Sequence, residues 1–302
     1  MTLICYRLKR FGTAARAMIA KVNEIITDYG EQGYTLALRQ LFYQLVVKNL
    51  IANTEKEYAK LGSLITDARM SGVISWSAIE DRGRENQSWL INENPRDALF
   101  GIETNFALDM WDRQGIYIEL FVEKDALSGI VQVPCNKWRV PFTACKGYLS
   151  ASTAWAAGQR YKKAADAGKN LVALHLGDHD PSGLDMSRDL RERLQLFGGG
   201  CEIDFVRLGL NMNQVREFRP PPNPTKITDN RAAKYIKEFG HSSWELDALR
   251  PEIIAGLIET EVAILVDDSI WQRTLDDEAE IQSRLHRLYA EYDAIVAPEL
   301  GL

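Results

Sequence analysis

The sequence predicts an α/β chain: short N-terminal helices, a middle region of alternating strands and helices, and a mostly helical end. Three patterns carry that expectation. Apolar residues recur at helical spacing as far as about residue 70. After residue 115, short β-branched runs alternate with helical stretches, the mark of a mainly parallel sheet. From about residue 230 helical periodicity returns with an excess of acid.

The first helix is expected over 13–29, with Ala15, Met18, Ile19, Val22, Ile25 and Ile26 on one face and Gly30 to end it. A second begins near Thr35 and runs through LALRQLFYQLVVKN. A third follows a capping box, Thr54 with Glu57, and its apolar stripe is Tyr58, Leu61, Leu64, Ile65 and Ala68. The charged segment 73–89 is short and partly β-like. Three helices and a hairpin-like segment outline a winged helix, with helix 54–69 entering a groove and 73–89 as the wing. Lys56, Lys60, Arg69, Arg82 and Arg84 are then candidate phosphate contacts on DNA.

Strands are expected at 116–122 (IYIELFV), 140–144 (VPFTA), 171–177 (LVALHLG) and 203–209 (IDFVRLG). Helices fall between them, near 125–132, 149–167 and 183–196. Pro220, Pro221, Pro222 and Pro224 stiffen the connection to the helical end.

The net charge of −6 at first argues against a nucleic-acid partner, but its distribution does not. Residues 1–90 hold 12 basic and 9 acidic side chains, 91–250 hold 21 of each, and 251–302 hold 3 against 12. All the acidity sits in the last 52 residues, so the tail 251–302 is expected to face away from DNA. No apolar run approaches a membrane span, and the N-terminus reads as no signal peptide. Cys5, Cys135, Cys145 and Cys201 are too scattered for a zinc site and fit idle thiols in a reducing cytoplasm. Neither a GxxxxGK[ST] phosphate loop nor GxGxxG is present.

Two expected strands end in acids. FVEKDA closes the first with Glu123, and LGDHDPSG closes the third with Asp178 and Asp180. Ligands of open parallel sheets bind beyond the carboxyl ends of the strands. In extended chain, Asp178 and Asp180 point the same way, and three convergent carboxylates stay ionised only beside a cation. Oxygen ligands alone select Mg²⁺ or Mn²⁺. Each acid taken singly reads as a helix cap, and His179 is either a supporting group or a spacer.

A glutamate closing one strand and D-x-D-P-x-G closing another resemble the Toprim fold of topoisomerases, primases and related nucleases, over roughly 116–210. Lys146-Gly147-Tyr148 is similar to the K-G-Y of one branch, the A subunit of topoisomerase VI and its meiotic double-strand-break relative. Arg39-Gln40-Leu41-Phe42-Tyr43 resembles that branch's R-[DE]-[IL]-[FY]-Y, with Gln40 where an acid is usual, and Trp244–Leu249 resembles its E-[IL]-x-A-L segment.

The resemblance implies a CAP-like winged-helix domain over 1–95 and a Rossmann-like Toprim domain over 96–302, with core 116–210 and a helical C-terminal part. It implies a cytoplasmic, nucleoid-associated enzyme that cuts double-stranded DNA with Mg²⁺ or Mn²⁺. Tyr43 is then the nucleophile, Arg39 its phosphate contact, Glu123, Asp178 and Asp180 the metal ligands, and Lys146 a further DNA contact. In the family the site is shared between protomers, so a homodimer is implied; a GHKL-type ATPase B subunit or another operon partner would act in trans. The alternative is a Toprim endonuclease that hydrolyses DNA with metal-activated water, Tyr43 being structural.

Overall fold

The computed structural model describes residues 3, 5–75, 78–80 and 91–292. The chain forms two compact units, one of residues 1–84 with 117–263, the other of 85–116 with 264–302. Among the described residues no helix is long and apolar enough to cross a membrane.

The first unit opens with α1 (Thr13–Glu31), whose inward face is Ile19, Val22, Ile25 and Tyr29. It passes through Gly30, because the left-handed turn falls at Gly33, where φ is +82° and Tyr34 N–H bonds back to Tyr29 O. The next helix starts later than expected. Leu36–Ala37 form β1, and α2 (Leu38–Val47) begins only where the Gln40 side chain accepts the Ala37 N–H at 2.7 Å. In α3 (Glu55–Met70), Thr54 caps the Glu57 N–H at 3.3 Å, but Glu57 pairs with Lys60 in place of closing the capping box.

Only part of the region expected as a wing is described. Its described strand, β2 (Ile79–Glu80), pairs in parallel with β1, and the pair is not a hairpin. Residues 76, 77 and 81–89, with Arg82 and Arg84, lie outside the described residues. Ile19, Val22, Leu41, Leu45, Leu61, Ile65 and Ile79 share one core, and Ala248 from far along the chain completes it.

The sheet is parallel and four-stranded, in the order β4-β3-β5-β6: β3 is Ile116–Val122, β4 Phe142–Ala144, β5 Asn170–Leu176 and β6 Asp204–Gly209. The central strands β3 and β5 are buried over most of their length, as a sheet covered on both faces requires. The connecting helices are α5 (Ser128–Trp138), α6 (Ala151–Asp166) and α7 (Pro181–Phe197). The helix expected to stop at 132 continues to Trp138 through Pro134, and Arg139 in the left-handed region ends it. Ala154, Ala157 and Tyr161 of α6 meet Leu190 and Leu194 of α7 in a core that includes Phe121 and Ala173.

Beyond the sheet come α8 (Met212–Phe218), β7 (Asn223–Pro224), α9 (Ala232–Phe239), β8 (Ser242–Ser243) and α10 (Pro251–Leu265). The proline run delivers β7 to antiparallel pairing with β8.

The second unit is built on α4 (Pro95–Asn105) and α11 (Asp268–Ala290). Phe100 packs on Tyr289 with centroids 5.5 Å apart, and Trp111 on Trp271 at 5.8 Å. Glu278 accepts the Leu108 N–H at 2.6 Å.

Gly158 is where α6 and α7 touch: a Cβ there would lie 2.4 Å from Phe197 Cβ and 2.8 Å from its carbonyl carbon. Gly158→Ala is expected to destabilise by about 2 kcal/mol in urea unfolding. Gly256→Ala, on an exposed turn of α10 with open space around it, is expected to stabilise by about 0.5 kcal/mol.

Candidate functional site

The site lies at the carboxyl ends of β3 and β5, where Glu123 N–H bonds Leu176 O at 2.8 Å and ties the two strand ends together. The Glu123 carboxylate turns across this junction, and its Oε2 accepts the Asp178 N–H at 2.9 Å. Two glycines leave room for it. A Cβ on Gly177 would lie 2.9 Å from that oxygen, and one on Gly183 would lie 2.3 Å from the Asp178 carbonyl.

Asp178 is buried with both carboxylate oxygens engaged: Oδ1 accepts the Leu246 N–H at 2.8 Å, and Oδ2 lies 2.8 Å from Lys124 Nζ. Burial pushes its carboxyl up to about 8; Lys124 opposes this, while Glu123, Asp247 and Glu245 add to it. Burial also raises Glu123. Asp180 caps α7, its Oδ1 accepting the Gly183 N–H at 2.6 Å.

His179 points elsewhere. Its backbone pairs with Trp244, and its ring sits among Tyr235, Phe239 and Trp244 with Nδ1 2.8 Å from the Tyr235 hydroxyl. The Asp178–Asp180 segment is thereby anchored to the β7–β8 side of the unit.

Lys124 is the centre of the cluster, although the sequence reading passed over it. Besides Asp178, its ammonium lies 2.8 Å from Glu245 Oε2 and 2.9 Å from Asp247 Oδ1. Arg39 meets the same two acids from α2, at 2.5 Å to Glu245 Oε2 and 3.1 Å to Asp247 Oδ2. Burial would raise Glu245, but Lys124 and Arg39 outweigh it and hold the carboxyl at about 2.

Tyr43 stands beside them. The Arg39 guanidinium lies 5.9 Å from its ring centroid, and Phe42 packs edge-on between Tyr43 and Tyr58. Burial raises the Tyr43 hydroxyl, and so do the nearby carboxylates Asp247 and Glu245; Arg39 pulls the other way. Arg207 reaches in below the acids and donates to the carbonyls of Gly177 at 3.0 Å and Asp178 at 2.5 Å.

A cavity of about 450 Å³ opens over this arrangement, lined by Arg39, Tyr43, Tyr58, Asp180, Lys226 and Glu245 among others. A second, of similar size, shares Arg39 and Tyr58 and continues along α3 past Gly62 and Thr66 to Arg69. One face of α3 therefore looks onto its own chain, while Lys56 and Lys60 are exposed. Arg69 is turned inward and donates to Ile79 O; Lys146 is exposed, 3.3 Å from Asp125. The four cysteines are free, and burial pushes Cys135 and Cys145 up to about 12, which leaves those thiols inert.

As they stand, no three His, Cys, Asp or Glu among the described residues are grouped closely enough to hold a metal. The donor chemistry nevertheless fits a hard cation. Among the described residues, one oxygen each of Glu123 and Asp180 accepts no hydrogen bond, while Asp178 is engaged by the Leu246 N–H and by Lys124. No protein-family model matches the chain, and no curated protein matches it.

Glu245 ties its fold to pH with a clear sign. Its folded pKa lies below the ordinary 4.5, so its ionisation contributes stability above about pH 4.5 that is lost as pH falls towards 2. Glu245→Gln is expected to cost on the order of 3 kcal/mol at pH 7, and the gap to wild type should narrow in urea titrations at pH 3.

Proposed function

We propose that this chain cuts DNA by transesterification, with Tyr43 as nucleophile and the acids at the strand ends as its divalent-cation site. The observation that carries this reading is that Tyr43, Arg39 and Asp180 wall one cavity within a single chain. A tyrosine is a poor nucleophile unless charge on the attacked phosphate and on the leaving oxygen is neutralised, and cationic groups close by serve that need. The resemblance of 39–43 to a tyrosine motif and of 123 and 178–180 to Toprim acids points to the same chemistry.

In the proposed step the Tyr43 Oη–P bond forms as the P–O3′ bond breaks. The phenolic proton passes to solvent in the cavity, and the 3′ oxygen takes a proton from solvent to leave as a hydroxyl. The product is a 5′-phosphotyrosyl link. Arg39 orients the scissile phosphate from the same helix, four residues from Tyr43. Mg²⁺ or Mn²⁺ on Glu123 and Asp180, joined by Asp178, would supply Lewis-acid stabilisation of the transition-state charge. A homodimer would bring two such sites to one duplex, one for each strand.

One observation favours a second reading. Tyr43 is only 4% exposed and its hydroxyl is pushed up, as suits a structural aromatic. Hydrolysis by metal-activated water would then do the cutting. Plasmid cleavage with Mg²⁺ or Mn²⁺, stopped in SDS, separates the two. Transesterification requires protein covalently joined to DNA 5′ ends, and Tyr43→Phe should lower cleavage more than ~10³-fold. Full cleavage by Tyr43→Phe with loss in Asp178→Ala establishes hydrolysis instead.

A further inference from the structure

The second unit has little interior of its own. Among the described residues α4 buries none, and α11 buries only Thr274 and Glu278, both polar. The seam between the two helices fixes how they lie. Phe100 meets Tyr289, Glu103 Oε1 lies 2.8 Å from His286 Nδ1, and Gln282 donates to Phe106 O at 3.2 Å. Numbers rise along α4 as they fall along α11, so the helices run antiparallel.

A second face remains. Ala98, Leu99 and Ile102 on α4, and Ile270, Ile281, Leu285 and Leu288 on α11, recur at helical spacing roughly a quarter-turn from that seam. The displacement has the same sense on both helices, so their antiparallel course brings the two stripes out on one side of the pair. None of these side chains is buried, and Ile102 is 54% exposed.

Charge along α11 names the occupant. From Asp267 to Glu280 there are six acids against Arg273 alone; from Ile281 to Ala290 there are Arg284, His286 and Arg287 and no acid. A second copy laid antiparallel across the first sets each acidic half against a basic half, whereas a parallel copy would set like against like. A two-fold axis produces the antiparallel arrangement. The footprint suits it as well. At about 1.5 Å per residue, α11 is ~35 Å long and α4 ~16 Å. With helices ~10 Å wide, the pair offers on the order of 500 Å² per copy and ~1,000 Å² in all, the lower end of specific interfaces.

We propose that the α4–α11 pair is a homodimer surface, on which a second copy of this chain docks its own pair about a two-fold axis and closes an antiparallel four-helix bundle. This goes beyond the cutting reading: it gives the homodimer named there a surface and rests on none of its chemistry.

The test is sedimentation of the full chain across micromolar concentrations. Wild type should be a dimer that dissociates on dilution, and more readily at high salt. Ile102→Glu and Leu288→Glu should each weaken the dimer at least about tenfold, and so should the double reversal Arg284→Glu with Arg287→Glu. Leu196→Glu, at a position 70% exposed on α7, should leave it unchanged. A wild type that is monomeric at every concentration overturns the proposal, whether residues 293–302 of the same chain, another protein or water meets the face. If that monomer still joins DNA covalently, the cutting reading stands. A dimer that survives all three changes in folded protein also overturns the proposal, since its interface then lies elsewhere. Should the apolar changes prevent folding, the reversal of the two exposed arginines decides.

Discussion

The ammonium of Lys124 among Asp178, Glu245 and Asp247 is the interaction on which the arrangement depends. An isolated carboxylate this deep would be driven to its neutral form, and three together would repel one another. One lysine satisfies all three and so fastens three stretches of chain: the end of β3, the end of β5 and the 3₁₀ turn Leu246–Ala248. Arg39 extends the network to α2, so the helix carrying Tyr43 is fixed to the sheet by charge as well as by packing.

The segment 244–249 does most of the fastening. Trp244 pairs with His179, Leu246 N–H holds Asp178, Asp247 meets Lys124 and Arg39, Ala248 fills the N-terminal helical core, and Leu249 O accepts from Gln44 at 3.5 Å. Six consecutive residues thereby make the N-terminal helices and the sheet a single compact unit. The cavity beside Tyr43 follows from that docking, since its walls come from α2, α3, the start of α7 and the β7–β8 pair.

Much of this was legible in the sequence where local physics decides. The four parallel strands fall within two residues of the apolar runs that announce them, because the strands of a sheet flanked by helices are predominantly apolar. Glu123, Asp178 and Asp180 stand out in the sequence because each closes, or follows directly on, an apolar strand-like run. Lys124 was missed although it adjoins Glu123, since nothing in FVEKDA says which acids a lysine will meet. Its partners lie more than fifty and more than a hundred residues away. Glu245 and Asp247 were visible only as members of a matched segment, and Arg207, in mid-strand, carried no signal. The parallel pairing of 79–80 with 36–37 was equally illegible, because a two-residue strand has no period to read.

The central claim is that one chain carries a complete site, with Tyr43 and the acids acting on the same phosphate. Mixing two inactive proteins tests it most directly: Tyr43→Phe chains with Asp178→Ala chains, allowed to exchange subunits and assayed for covalent protein–DNA product. If the site is complete within each chain, neither partner can repair the other, and the mixture stays inactive. Recovery of covalent product towards a quarter that of wild type would mean that the tyrosine of one chain works with the acids of another, and would contradict the account.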